Sequence, residues 1–237
     1  MAIIPFSSVE RALVVVAHPD DIDFGMAGTV AVLTDQGVGV TYCLATSGEA
    51  GGPDDISRGD LAAQREAEQR AAAAIVGVSD VRFLGYPDGA VEFSLGLRRD
   101  ISRVIRDVRP QVVLCQSGDR VWDSVYFSHP DHLAVGEATA CAVYPDARNR
   151  WAHADLLAEG FEPHTVERMW VGGLDANHFV DVTDVFDRKL AALRSHASQI
   201  ADRDIDSLLR DWAAGNGKSA GWTDGRLAES FREIDSR

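Results

Sequence analysis

Residues 13–21 read Leu-Val-Val-Val-Ala-His-Pro-Asp-Asp: five consecutive apolar residues, then a histidine, a proline and two carboxylates. A short unbroken apolar run reads as a strand buried on both faces, because side chains alternate across a sheet and a one-sided strand would alternate with polar residues. Both faces are covered when helices pack on each side, as in parallel sheets. The run therefore predicts an α/β fold. The polar cluster at its end falls where open α/β sheets bind ligands, outside the carboxyl ends of strands.

The flanking sequence continues the alternation. Ala27 to Gln36 suits a helix that Gly37 ends. Val38 to Thr46 is a second strand, followed by the polar, Gly-rich stretch SGEAGGPDDISRGD. An Ala-rich helix runs from Asp60 to about Val76, then a strand from Val81 to Leu84, a helix from Leu95 to Val108 and a strand from Gln111 to Cys115. Leu133 to Val143 is a further helix. Val166 to Val171 and Phe179 to Val182 read as two more strands, and the apolar spacing of Val182, Phe186, Leu190, Leu193, Ala197 and Ile200 predicts a helix from about Asp184. Gly215 to Gly225 reads as a Gly-rich loop before a short terminal helix. The βαβα order implies a Rossmann-like three-layer sandwich with a mainly parallel sheet, one domain over residues 1–237.

Composition narrows the function. The chain has 237 residues, 46% of them apolar and 25% charged, so a core can be buried. Subtracting 37 acidic from 23 basic residues leaves −14, which argues against nucleic acid or an anionic membrane as partner. No stretch approaches the ~20 apolar residues of a membrane span. The N-terminus lacks the basic region of a signal peptide and carries no lipid-anchor pattern, so the expected location is cytoplasmic. Cys43, Cys115 and Cys141 are scattered without CxxC spacing and read as small buried hydrophobes rather than a disulfide framework.

A second cluster, His129-Pro130-Asp131-His132, follows the fourth predicted strand. Pro130 fits the first turn of a helix, where its missing N–H is harmless. His129 and His132, three apart, can share a helical face. Either cluster alone could be a turn or a helix start held by local hydrogen bonds. Together, each after a buried strand, they offer three ligands, two from the first cluster and one from the second. That is enough for a zinc site with a position open to water.

The chain resembles the PIG-L/LmbE-like superfamily of zinc-dependent N-deacetylases. The resemblance rests on VVVAHPDDIDFGMAGTVA and SHPDHLAVGEA, supported by ATSGEAG, by AAQREAEQRAAAAIVGV with VRFLGYPDG, and by FDRKLAALRSHASQ. It implies one zinc per chain held by His18, Asp21 and His132. It also implies Asp20 as the general base on the attacking water, His129 facing the developing oxyanion, and Asp131 orienting His129. Arg65 and Asp88 match positions that contact sugar hydroxyls in related deacetylases; from the residues alone, Arg65 could equally lie on a solvated helix face and Asp88 in an ordinary Pro-Asp-Gly turn.

The expected activity is removal of an acetyl or other acyl group from a small-molecule N-acylated amino sugar. The alternatives are hydrolysis of a larger amide, as in mycothiol S-conjugate amidase, and a non-catalytic metal-binding protein. A nucleotide-binding module is disfavoured, since no GxGxxG follows the first strand. Oligomeric state, homo-oligomer included, is left open. Two departures stand out. Many members carry Glu after HPDD, where this chain has Ile22 and then Asp23, which changes what supports the ligands. Some thiol-pathway members carry Tyr two residues before the first His of HPDH, where this chain has Phe127 beside Tyr126. Of the remaining histidines, His196 in SHASQ is the one expected nearest the pocket. The five tryptophans are expected in core or interface packing rather than under a sugar.

Overall fold

The computed structural model describes residues 9–53, 55–122, 125, 128–173, 175–200 and 204–237. The apolar run becomes β1 (Arg11–Val16), followed by a short α1 (Asp21–Gly25), α2 (Ala27–Asp35), β2 (Gly39–Leu44), α3 (Arg58–Ile75), β3 (Asp80–Phe83), α4 (Leu95–Val108), β4 (Val112–Gln116) and α5 (Pro130–Cys141). The rest comprises α6 (Ala154–Ala158), β5 (Arg168–Gly172), β6 (His178–Asp181), α7 (Phe186–Arg194), α8 (Ala197–Ile200), α9 (Ile205–Ser219) and β7 (Ala228–Asp235).

The strands form one seven-stranded sheet in the order β3-β2-β1-β4-β5-β7-β6. The first five are parallel, and β7 runs antiparallel to both β5 and β6. Alternation along β1 explains the unbroken run. Ala12, Val14 and Val16 pack with residues of α2, α3, α7 and α9 on one face; Leu13, Val15 and Ala17 pack with α4 and α5 on the other. At roughly 1.5–3 kcal/mol for each large aliphatic side chain buried, this two-sided core pins the position of the strand end that carries His18.

The chain leaves β1 for β2 and β3 on one side, then returns to β4 on the other. The crevice between β1 and β4 is therefore the topological switch point, where ligands bind in such sheets. Gly136 brings α5 against it. A Cβ at that position would come within 2.5 Å of Gly118 N and 2.8 Å of Gln116 O, so only glycine lets α5 lie on the end of β4.

Three expectations are corrected. The chain ends in β7 rather than a helix, because β5 and β6 each offer an edge that 228–235 completes. Residues 215–219 lie inside α9, whose Ile205, Leu209 and Ala213 are buried, rather than in a loop. The helix from Asp184 breaks after Arg194 and resumes as α8, with His196 at the break. Among the described residues no helix is long and apolar enough to cross a membrane. All three cysteines are free, and Cys43 and Cys115 are buried.

Candidate metal centre and active site

His18 lies one residue beyond Ala17, where β1 runs out of sheet partners, and the chain turns sharply through Pro19 and Asp20 into α1. Asp20 takes a left-handed backbone conformation with φ 87°. Asp21 folds back so that its Oδ2 accepts from His18 N at 2.8 Å. On the other side of the crevice His129 caps α5, its Nδ1 accepting from Asp131 N at 3.3 Å. His132 follows one turn along the same helix.

Donor groups of three residues converge. His18 Nδ1 lies 3.2 Å from His132 Nε2. Asp21 Oδ1 lies 3.1 Å from His132 Nε2, and Asp21 Oδ2 lies 3.5 Å from His18 Nδ1. Ligand atoms ~2.0–2.1 Å from a tetrahedral ion stand ~3.3 Å apart, so the donor set fits one metal ion in type and spacing. The ring nitrogens of His18, His129 and His132 also fall within 4.8 Å of one another, which brings His129 to the same spot.

The far side of His18 is equally specific. Its Nε2 donates toward Asp131 Oδ2 at 3.0 Å and faces Asp88 Oδ1 at 3.1 Å. Asp131 also accepts from Gly89 N and Val91 N, and Asp88 from Ala50 N. A carboxylate behind a ligating imidazole fixes its ring orientation and raises its basicity. The same contacts show where two of the expected site residues lie. The Asp131 carboxylate is placed on His18, and only its backbone N–H meets His129. Asp88 is buried, with its carboxylate against His18 and the Ala50 N–H.

Arg65 lies against the same turn. Its side chain is buried, with the residue 4% exposed, and its guanidinium donates to Gly48 O at 2.7 Å, Pro19 O at 2.8 Å and Asp20 Oδ2 at 3.2 Å. Gly48, at φ +69°, leaves room where a Cβ would strike that guanidinium. Arg65 thus clamps the HPDD turn from beneath.

Electrostatics separates the adjacent aspartates. Burial pushes Asp20 up to about 7, the neighbouring Asp21 charge adds to the rise, and Arg65 opposes it. Burial also works to raise Asp21, but the charge and hydrogen bond of His132 and the contacts of His18 outweigh it and hold Asp21 far below the usual carboxylate range. Burial works against charge on His18, yet Asp131, Asp21 and Asp88 together push it up to about 12. Burial and the His18 charge lower His129. A neutral His129 whose Nδ1 accepts from backbone carries its proton on Nε2.

One residue here was missed from sequence, and a second was noticed only as a departure. Gln69 accepts from Asp20 N at 3.0 Å and donates to Asp23 Oδ2 at 3.0 Å. Its spacing of four from Arg65 puts both on one face of α3, a readable signal. Asp23, noticed as a departure, turns out buried and bonded to Nε2 of His196 at 2.8 Å. Tyr126 and Phe127 lie outside the described residues. Of the tryptophans Trp170 packs in the core as expected, whereas Trp122 and Trp151 are exposed.

Comparison with known proteins gives the family and the fold. The model of the PIG-L family, GlcNAc-PI de-N-acetylase, matches residues 13–143. The diacetylchitobiose deacetylase of Thermococcus kodakarensis is 35% identical over an alignment covering 97% of this chain and 85% of the relative. The probable N-acetyl-alpha-D-glucosaminyl L-malate deacetylase 2 of Bacillus anthracis is 32% identical, covering 90% and 91%. The solved structure of N,N'-diacetylchitobiose deacetylase from Pyrococcus horikoshii superposes with a TM-score of 0.90 at 29% identity, covering 98% of this chain and 86% of that one. With the family model spanning more than half of the chain, the protein belongs to the PIG-L family.

Proposed function

We propose that the protein is a zinc-dependent amide hydrolase that removes the acetyl group from an N-acetylated amino sugar of the N-acetylglucosaminide type. The observation that carries this reading is the pairing of a His18–Asp21–His132 donor set with Asp20, a carboxylate held beside it by Arg65 and Gln69. Two imidazoles and one carboxylate suit zinc with a coordination position left open. The relatives that cleave N-acetyl groups from glucosamine derivatives support the substrate class.

An acetamide is a poor electrophile and neutral water a poor nucleophile. The metal, when bound, acidifies water and polarises the carbonyl. Asp20 takes the proton of the attacking water on the carboxylate oxygen that Arg65 leaves free, and then returns it to the departing amine nitrogen. His129 donates from Nε2 to the carbonyl oxygen as it gains charge. Asp131 and Asp88 hold the His18 ring from behind, so its Nδ1 stays aimed at the site. A non-catalytic metal-binding protein would have no use for a further carboxylate held beside the donor set by Arg65 and Gln69.

The test is acetate release from N-acetylglucosamine and N,N'-diacetylchitobiose, with chelator and with zinc restored. Release that chelator abolishes and zinc restores is expected, with about one zinc per chain. No release from any acetamido sugar by the zinc-loaded protein would overturn the reading.

A further inference from the structure

Asp20 sits at φ 87°, a left-handed conformation that disfavours residues with a Cβ. Such strain persists where the surroundings over-determine it. One restraint is Arg65 on Pro19 O. The start of α1 is another, with Asp23 N and Phe24 N donating to Asp20 O, and Gln69 is a third, its Oε1 accepting from Asp20 N at 3.0 Å. A glutamine amide has two unlike ends of nearly equal shape, so something must decide which end meets Asp20. Asp23 decides it. Its Oδ2 accepts from Gln69 Nε2 at 3.0 Å, and a carboxylate can only accept, so the amide carbonyl is left facing the Asp20 N–H. Asp23 is held in turn by His196 Nε2 at 2.8 Å, across 173 residues. Asp23, Gln69 and His196 are each fully buried. Burying such a chain carries a desolvation cost that apolar side chains would avoid. Apolar side chains could fill the space but could not hold the Asp20 N–H.

We propose that Gln69 is a positioning residue for the catalytic carboxylate, oriented by Asp23 and through it by His196, and that this buried chain fixes the backbone from which Asp20 reaches the reacting water. The inference rests on the reading of Asp20 as the base. It accounts for the Asp at position 23 and for the helix break that carries His196.

Polarity exchange tests it. In Asp23→Leu nothing accepts from the Gln69 NH2, so the amide loses the group that orients it. In Gln69→Glu two carboxylates face each other. Each should lower kcat by roughly 10–10², with KM and metal content within about twofold of wild type, the pattern of a misplaced catalytic group. Combining Asp23→Asn with Gln69→Glu restores complementarity. The carboxylate introduced on α3 accepts from the Asp20 N–H and from the NH2 introduced on α1, whose second hydrogen faces His196 Nε2 where Asp23 Oδ2 stood. The double variant should recover most of the kcat lost in Gln69→Glu. Single variants at wild-type kcat, a loss that tracks metal content or KM, or a double variant no faster than Gln69→Glu would overturn the proposal. Should a single variant fail to fold, Gln69→Met keeps the length and removes both polar ends. If the wild type cleaves no acetamido sugar, the reaction has been misread. Crystal structures of wild type and Gln69→Met then decide the positioning: Asp20 leaving the left-handed region supports it, and Asp20 staying there overturns it.

Discussion

Nε2 of His18 lies 3.0 Å from Oδ2 of Asp131, so a carboxylate from the second motif reaches back across 113 residues to the imidazole of the first. Because Asp131 also accepts from two backbone N–H groups, its carboxylate cannot swing to His129 without abandoning both. Its effect should therefore fall on the metal. Asp131→Asn is expected to weaken zinc binding by roughly 10–100-fold, the usual cost of losing the carboxylate behind a ligating histidine. Zinc titration against a competing chelator reads it. Unchanged zinc affinity with lowered turnover would return Asp131 to the role of orienting His129.

His129 should behave in the opposite way. His129→Ala removes the Nε2 donor and is expected to lower kcat by roughly 10²–10³ while zinc content stays near wild type. Since the His129 ring nitrogens lie within ligand range of His18 and His132, metal analysis is the deciding measurement. Loss of zinc would make His129 a ligand.

Metal binding should release a proton. In metal-free protein the carboxylates overcome burial and push His18 up to about 12, so its ring is protonated at neutral pH. A metal ligand must be unprotonated at the binding nitrogen, and zinc affinity should rise about tenfold per pH unit for each proton displaced. Calorimetry in buffers of different ionisation enthalpy counts the protons. The stability of the metal-free protein carries the matching sign. The folded value lies above the unfolded one, so this group's stabilisation is full below about 6.5 and is lost as pH rises toward about 12.

Arg65 separates two roles by the kinetic constant it affects. If the guanidinium clamps Asp20 from below, Arg65→Met lowers kcat and leaves KM little changed. It also removes a charge that lowers the Asp20 pKa, so the acid limb of the kcat profile moves to higher pH. A rise in KM with an unmoved limb would place Arg65 on the substrate instead.

The terminal strand is tied to the site's supporting helices by Glu229. Its carboxylate accepts from Gly28 N at 3.0 Å and Thr29 N at 2.6 Å, and pairs with the buried Lys189. Glu229→Ala leaves Lys189 charged and unpaired in the interior, which typically costs about 3–5 kcal/mol. Denaturant unfolding should show that loss, and a midpoint unchanged from wild type would contradict it.

Much of the architecture could be read along the chain because its causes are local. Five apolar residues in a row can be buried only between two layers, and β1 lies there. Pro130 can open a helix but not continue one, and α5 begins with it. Both donor clusters sit at strand or helix ends, where the order of elements brings them to one edge of the sheet; the family resemblance picks out His18, Asp21 and His132 among them. What the chain could not disclose are pairings between distant segments. Residues 228–235 become a strand because two sheet edges lacked a partner, a demand no local propensity expresses. Asp131 and Asp88 turn to His18, and Arg65 to Asp20, because a buried carboxylate or guanidinium takes whatever partner the packed fold brings within reach. The same rule joins Asp23 to His196. Identity and order in sequence set which groups are available; burial in three dimensions, which makes every unpaired polar group costly, decided which of them meet.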